Sequence, residues 1–311
     1  MAYNFGNLTA YTEQQSLPLI TKSLFSAKSA SILTPMTGIK SSKALNLLDT
    51  DAVFQSGDNC GFTASGTTTF SNRILTVGRI KINEAICPKK LEEYWMQSQL
   101  PIGSRYTGIP FEQQYAEQKA GKTAEQLETA IWQGDTASGN TNANTNKFDG
   151  FIKLINAASG STVSGNTGAV SGITISNAFS VMQAIYNRIP TRILDKEDLR
   201  IVCGWDTFRL LVANLTNLNL FHYSPVVDGV QGELILPGTN VRVVALNGLN
   251  TTNRIFAMRL SNMFFGTDLL NEEERFEIFY AKEADEVRYV AEFKAGVQFA
   301  YADEIVNFIL A

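Results

Sequence analysis

Apolar and polar residues alternate over a long stretch near the C-terminus of the chain. Every odd position from Val287 to Tyr301 is apolar, whereas the even positions are mostly charged, polar or glycine. This period of two is typical of a β-strand with one buried face. Ordinary strands contain about 3–10 residues, and a strand of this extent would be about 50 Å long. The pattern therefore predicts one exceptionally long strand, and Gly296 marks the point where we expect it to bend.

The pattern also predicts a long β-hairpin over about residues 44–82. The segment ALNLLDTDAVF leads out, TTTFSNRILTVGRIKI leads back, and Gly57, Gly61 and Gly66 supply the turn between them. The apolar positions change phase at Gly78, which predicts a bulge or a local twist there. Because an isolated two-stranded ribbon is only marginally stable in water, we expect this hairpin to rest on another surface.

Helical spacing of apolar residues predicts a long helix at about residues 109–133. Pro110 lies in its first turn and Gly134 follows its end, as is typical of helix boundaries. Shorter helices are predicted for the flanking segments PKKLEEYWMQSQL and DGFIKLINAA. Residues 1–43 are polar with weak periodicity, so they are interpreted as an extended arm that lies on another surface.

The arrangement of elements changes between residues 171 and 270. Helical segments beginning near Ser176 and at WDTFRLLVANL alternate with the short apolar runs LRIVCG, VRVVAL and RIFAMRL. Short apolar runs flanked by turn residues are typical of buried strands. This part is therefore predicted to form a compact α/β domain, after which the strand FEIFYAKE and the long strand follow.

The composition excludes several classes of protein. The chain has 311 residues, of which 44% are hydrophobic and 18% charged, so a globular protein with two domains is predicted. The net charge is -4 without a block of Lys and Arg, which argues against reading of nucleic-acid sequence. Cys60, Cys87 and Cys203 are widely spaced, which favours a reducing compartment over a disulfide framework. The sequence contains no signal-peptide pattern and no membrane-spanning apolar run.

The sequence lacks the pattern of a catalytic or cofactor-binding site. The triplet Gly121-Lys122-Thr123 resembles the end of a phosphate-binding loop, but Ala116 occupies the position where that motif requires glycine. His222 is the only histidine, so a multi-histidine metal site is excluded. We therefore predict that the chain is not an enzyme and that it binds no cofactor or metal.

The order of these segments resembles that of the major capsid proteins of tailed bacteriophages with the Hong Kong 97 capsid fold. The stretches LTVGRIKINE, DGFIKLINAA and VRYVAEFKAGVQFAYADEIV carry most of the resemblance, which spans essentially the whole chain. It implies an α+β fold with an N-terminal arm and an extended β-hairpin called the E-loop. A peripheral domain would contain a long spine helix and a long β-sheet, and an α/β axial domain would complete the subunit.

The resemblance implies a division of the chain. Residues 1–43 would form the arm, 44–80 the E-loop, 81–170 the peripheral domain with its spine helix at about 109–133, 171–270 the axial domain, and 271–311 the return to the peripheral domain. The odd-numbered face of the long strand would pack under the spine helix. Its even-numbered face would meet solvent or the next subunit, and its edge would pair with ILTVGRIKI.

The resemblance also implies a structural protein of a virion, assembled in the bacterial host cytoplasm. Subunits would form hexamers and pentamers of an icosahedral shell around double-stranded DNA, contacted non-specifically. Assembly contacts are predicted at Phe54, Phe62, Phe70, Arg73, Arg79, Arg288, Glu292 and Lys294. Single charge reversals at Arg288, Glu292 or Lys294 are expected to impair assembly more than folding.

Two departures from the family pattern lead to further expectations. Some members join their subunits through a Lys–Asn isopeptide bond whose lysine comes from the E-loop, but no lysine occurs here between Lys43 and Lys81. A non-covalent shell is therefore expected. Some members also begin with a long scaffolding segment, whereas the arm here begins within the first few dozen residues, which implies a separate scaffold protein. Portal and decoration proteins are further expected partners, and a membrane is not.

Three other interpretations stay open from the sequence. An encapsulin-type compartment shell shares the fold and encloses protein cargo instead of DNA. A surface adhesin or fibre subunit is suggested by loops rich in Ser, Thr, Gly and Asn, although the α/β segment argues against it. An enzyme that uses His222 and a carboxylate is the third.

Overall fold

The computed structural model describes residues 27–57, 61–62, 64–87, 111–166, 170–220, 232–268, 275–284 and 286–310. Its helices are α1 (Lys28–Ile32), α2 (Phe111–Gln133), α3 (Phe151–Ala157), α4 (Ala178–Arg188) and α5 (Trp205–Asn217). Its strands are β1 (Thr34–Met36), β2 (Ser42–Thr50), β3 (Thr68–Thr76), β4 (Gly78–Ile86), β5 (Val163–Ser164), β6 (Leu199–Cys203), β7 (Glu233–Ile235), β8 (Arg242–Ala245), β9 (Ile255–Arg259), β10 (Met263–Thr267), β11 (Arg275–Ala281), β12 (Glu286–Phe299) and β13 (Val306–Phe308). Short 3-10 helices occupy Thr191–Ile193, Asn247–Leu249, Leu260–Asn262 and Ala302–Glu304. The predicted helix PKKLEEYWMQSQL, arm residues 1–26 and His222 lie outside the described residues.

β12 is the central strand of a five-stranded sheet and confirms the predicted long strand. It runs over 14 residues. β4 pairs antiparallel with one of its edges, as predicted for the segment that returns from the hairpin. β10 and β11 pair antiparallel with the other edge, and β1 adds to β10 in parallel. The strand continues through Gly296, where a Cβ atom would lie 2.2 Å from the carbonyl oxygen of Thr76. Close packing therefore requires glycine at this position.

The odd-numbered face of β12 packs against α2, as predicted. Its side chains from Val287 to Phe299 are buried in one core with Leu127 and Ile131 of α2. The rings of Tyr115 and Tyr289 meet edge to face, with their centroids 5.8 Å apart. Such aromatic pairs stabilise a contact by about 0.5–1.5 kcal/mol beyond the area they bury. Helix and sheet thus form the main core of the molecule.

The even-numbered face of β12 differs from the prediction in its C-terminal half. Lys294 and Gln298 are buried, whereas Arg288 is exposed. The side-chain amide of Gln298 donates a hydrogen bond of 2.8 Å to the carbonyl oxygen of Ile74 in β3. The base of the hairpin thus covers this half of the strand. Tyr301, predicted to be part of the buried face, lies beyond the strand and is 39% exposed.

β2 and β3 form the predicted hairpin. They pair with each other as a separate two-stranded sheet, each strand nine residues long. At the base of the hairpin Leu75 is fully buried, and the guanidinium of Arg73 lies 4.4 Å from the centre of the Phe299 ring. Most of the remaining hairpin residues are exposed. The core therefore holds one end of a ribbon that would be marginally stable alone.

A second sheet packs with α4 and α5 around a core of its own. Its six strands follow the order β5-β13-β9-β6-β8-β7. The predicted domain division needs correction at two places. β10, within the predicted axial segment 171–270, pairs with β12, whereas β13, within the predicted return 271–311, pairs with β9. Alternation within a strand does not reveal its partner, so sequence order alone misplaced both strands.

A buried polar junction connects three parts of the chain. Glu128 of α2 accepts hydrogen bonds from the backbone N–H of Ser29 at 2.8 Å and from its hydroxyl at 2.6 Å. Trp132, one turn later, donates its indole N–H to the same hydroxyl at 2.7 Å. A Cβ atom at Gly248 would lie 2.2 Å from the carbonyl oxygen of Glu128, so glycine lets the α/β domain approach α2 closely. Burial raises the pKa of the Glu128 carboxyl.

Candidate assembly interface

One face of the hairpin exposes three large apolar side chains. Paired residues of an antiparallel ladder lie on the same side, so Leu48 of β2 lies beside Phe70 of β3. Ile74 follows on the same side because side chains alternate along a strand. Exposure is 82% for Phe70, 58% for Ile74 and 51% for Leu48. The exposed pair Asn46 and Asn72 separates Ile74 from Leu48 and Phe70 on this face. Large apolar side chains exposed this close together on a folded protein favour an interaction site.

The turn region of the hairpin adds further exposed apolar side chains. Phe54 is 100% exposed, Phe62 95% and Val53 51%. The structure therefore places the three predicted phenylalanines, Phe54, Phe62 and Phe70, on the outside of one hairpin. The sequence analysis did not predict Leu48 and Ile74 as contact residues. Ile74 could have been predicted, because it lies four positions after Phe70 on one strand and therefore on the same face.

The predicted charged contacts lie in different environments. Arg73 is half-buried over Phe299, and burial lowers its pKa. Arg79 is exposed on β4. Arg288 is exposed on β12, with its Nε 3.8 Å from Oε2 of Glu286. Glu292 forms a salt bridge with Lys81 on the neighbouring β4, with Nζ and Oε1 2.8 Å apart, so this carboxylate already has a partner within the subunit.

Lys294 is not on the surface of the subunit, and the prediction of an exposed contact there is wrong. Its side chain is 5% exposed, and its Nζ lies 2.8 Å from Oδ2 of Asp268, whose side chain is 1% exposed. The hydroxyl of Thr267 donates to the backbone carbonyl of Lys294 at 3.0 Å. A period-two pattern assumes that one face is solvated, whereas this end of β12 is covered on both faces.

A groove with a basic rim lies between α2, β4 and the loop that follows α2. It encloses about 220 Å³. Its floor is apolar and comprises Ile80, Ile82, Leu127, Ala130 and Phe293. Its rim carries Lys119, Lys122 and Lys147, and no carboxylate belongs to the lining. Lys81 also lines the groove, but its ammonium lies on the opposite face of the sheet, beside Glu292. We call this feature the lysine groove.

The described residues show neither a metal centre nor a membrane-spanning helix. Within the parts of the chain that the structure covers, no group of three His, Cys, Asp or Glu side chains is placed to hold a metal ion. No helix there combines the length and the apolar composition needed to cross a membrane. Gly121-Lys122-Thr123 lies inside α2, as expected for a helix surface rather than a phosphate-binding loop.

Solved capsid structures are similar to this fold. A chain of the procapsid of satellite phage P4, which includes the size determination (Sid) protein, matches with a TM-score of 0.61 and 13% identity over 94% of this chain and 98% of that chain. A chain of the capsid of an empty GTA particle matches with a TM-score of 0.56 and 14% identity over 93% and 90%. The capsid of Myoviridae phage XM1 matches with 0.53 and 14% over 89% of both chains.

Comparison of the sequence with models of protein families and with curated proteins finds no match. The structural similarity nevertheless extends over nearly the whole chain and nearly the whole of each neighbour. The chain therefore has the α+β fold of phage capsid proteins, which confirms the fold implied by the resemblance.

Proposed function

We propose that this chain is a major capsid protein whose subunits assemble into hexamers and pentamers of an icosahedral shell around double-stranded DNA. The observation that carries the proposal is the hairpin, which exposes six large apolar side chains from a base fixed in the core. These side chains are Leu48, Val53, Phe54, Phe62, Phe70 and Ile74. The exposure of these side chains in the isolated subunit is explained if a neighbouring subunit covers them in the assembled shell.

The energy of such contacts is modest for one residue and large for a subunit. Full burial of a Phe, Leu or Ile side chain contributes about 1.5–3 kcal/mol relative to exposure. A subunit in a closed shell gives its hairpin to one neighbour and receives the hairpin of another. Several weak contacts made together reinforce one another, because each holds the others at high effective concentration. Arg79, Arg288 and Glu292 would add charged contacts at the rim of these surfaces.

The role of the protein is structural in this proposal, and the shell has no covalent cross-links through hairpin lysines. No lysine lies between Lys43 and Lys81 that could supply an isopeptide bond. A separate scaffold protein and a portal would assist assembly in the host cell, and the packaged DNA would touch the inner surface non-specifically. Particles boiled in detergent should run as a single monomer band, and a ladder of covalent oligomers contradicts this part.

Sedimentation velocity on hairpin variants tests the proposal. The purified wild-type chain should form capsomers or shells, whereas Phe70→Ser combined with Ile74→Ser should stay monomeric at the same concentration. Ile175→Ser is a matched control, because Ile175 is 46% exposed on the α/β domain. All three proteins should unfold at similar denaturant concentrations, since these side chains contribute little to the subunit core. A wild-type chain that stays monomeric alone and with its scaffold contradicts the proposal.

A further inference from the structure

The lysine groove has the size and lining of a site for one aromatic ring. An apolar cavity of about 150 Å³ is large enough to hold benzene, and the groove encloses about 220 Å³. Leu127, Ala130 and Phe293 at its floor are almost fully buried. A phenyl ring that enters the groove would therefore meet apolar atoms, and an acidic group beside the ring would meet the lysine rim.

The lysines at the rim are able to accept a further carboxylate. Lys122 pairs with Glu125 at 2.7 Å. Lys119 pairs with Glu84, while among the described residues no carboxylate lies within ion-pair distance of Lys147. The existing pairs are partly or largely exposed, and such pairs contribute only about 0–1 kcal/mol. They therefore compete weakly with a carboxylate that is delivered together with an aromatic ring.

The hairpin tip carries the complementary chemistry. Phe54 is 100% exposed, so its side chain is not buried against any described part of its own subunit. Asp51 and Asp49 precede it, and the segment from Ala44 to Asn72 contains aspartates but no lysine, arginine or glutamate. The ribbon of two nine-residue strands carries this tip about 30 Å from the base of the hairpin.

We infer that the lysine groove receives Phe54 from a second copy of this chain, with Asp49 and Asp51 of that copy against the lysine rim. The inference rests on the proposed function, because only an assembly provides the second copy. Each subunit would then both insert its tip and accept a neighbour's tip, which is a head-to-tail contact that closes into rings. The lysine groove thereby becomes the surface that fixes where the hairpin tip of the neighbour lies.

Disulfide trapping tests this inference directly. Phe54→Cys and Ala143→Cys are combined in a Cys60→Ser background, since Ala143 is exposed and lines the groove. Oxidised particles should give a ladder of covalent multimers on a non-reducing gel, and reductant should convert it to monomer. The control combines Phe54→Cys with Ser161→Cys, an exposed residue outside the groove lining, and should give monomer only.

The outcomes separate this inference from the proposed function. Particles that form normally but yield only monomer, or only an intrachain disulfide, overturn the inference and leave the capsid role standing. Failure of the wild-type chain to form particles overturns the capsid role itself.

A charge exchange gives a second, independent readout. Lys122→Glu with Lys147→Glu should raise the concentration needed for assembly at least tenfold, and adding Asp49→Lys with Asp51→Lys should restore it. Lys40→Glu is the control for a change of net charge, because Lys40 is exposed and does not line the groove. If the rim instead binds nucleic acid, the aspartate changes will not restore assembly and packaged nucleic acid will fall, which overturns the inference.

Discussion

Removal of one charge from the buried pair of Lys294 and Asp268 should destabilise the folded subunit strongly. The two charged atoms are 2.8 Å apart, and the side chains are 5% and 1% exposed. Truncation of one partner removes this ion pair from the remaining buried charge, and breaking a buried pair typically costs about 3–5 kcal/mol. We therefore expect Lys294→Met and Asp268→Asn each to lower the free energy of unfolding by about that amount.

Urea unfolding of unassembled subunits, followed by tryptophan fluorescence, measures this effect. The double variant Lys294→Met with Asp268→Leu should recover most of the loss, because apolar replacement of a whole buried pair is often close to neutral. Arg288→Met, an exposed cation of the same strand, is the matched control and should stay within about 0.5 kcal/mol of the wild type. A Lys294→Met subunit with wild-type stability that fails only in assembly would refute the structural role and restore the assembly role.

Two further predictions concern backbone packing and pH. Gly296→Ala should destabilise the subunit by about 1–3 kcal/mol, since its Cβ would lie 2.2 Å from Thr76. Gly121→Ala, in the open middle of α2, should stabilise the subunit by about 0.5–1 kcal/mol. If urea unfolding shows the same change in stability for Gly296→Ala and Gly121→Ala, this packing argument is contradicted. Because burial raises the pKa of Glu128 above 4.5, its stabilising contribution is fully present below about pH 4.5 and is lost as the pH rises through the folded pKa. The stability of wild type relative to Glu128→Gln should thus fall with rising pH, and a constant difference would contradict this.

The long strand and the hairpin could be predicted from the sequence because their local patterns coincide with the fold. The alternation from Val287 to Phe299 matches a face that is buried against α2. The glycines after β2 and the phase change at Gly78 match the turn of the hairpin and its exit into β4. These signals lie within one or two elements, so no knowledge of distant contacts is needed to interpret them.

Neither the burial of Lys294 nor the existence of the lysine groove could be predicted in the same way. Lys294 is buried because three parts of the chain meet at one end of the long strand. These are β10, Asp268 directly after β10, and the base of the hairpin. The groove combines Ile80 and Ile82 of β4, Lys119 and Lys122 of α2, and Lys147 of a loop. Nothing in the spacing of these lysines indicates that tertiary packing brings them to one apolar floor.

The same limit explains the two misplaced strands. β10 and β13 are short and mostly apolar, so the local sequence of each strand is compatible with either sheet. Their pairing partners, β12 and β9, lie tens of residues away in the sequence. By contrast, the hairpin phenylalanines are informative in sequence, because large apolar residues in a turn-rich segment have little to bury against within the subunit.

Cryo-electron microscopy of the particles formed by the wild-type chain tests the central claim most directly. The account predicts closed icosahedral shells built from six-fold and five-fold capsomers, with the exposed face of each hairpin covered by an adjacent subunit and DNA inside when the complete virion is examined. Shells filled with an enzyme would indicate a protein compartment instead. A stable monomer, or an assembly in which Leu48, Phe70 and Ile74 face solvent, would contradict the account.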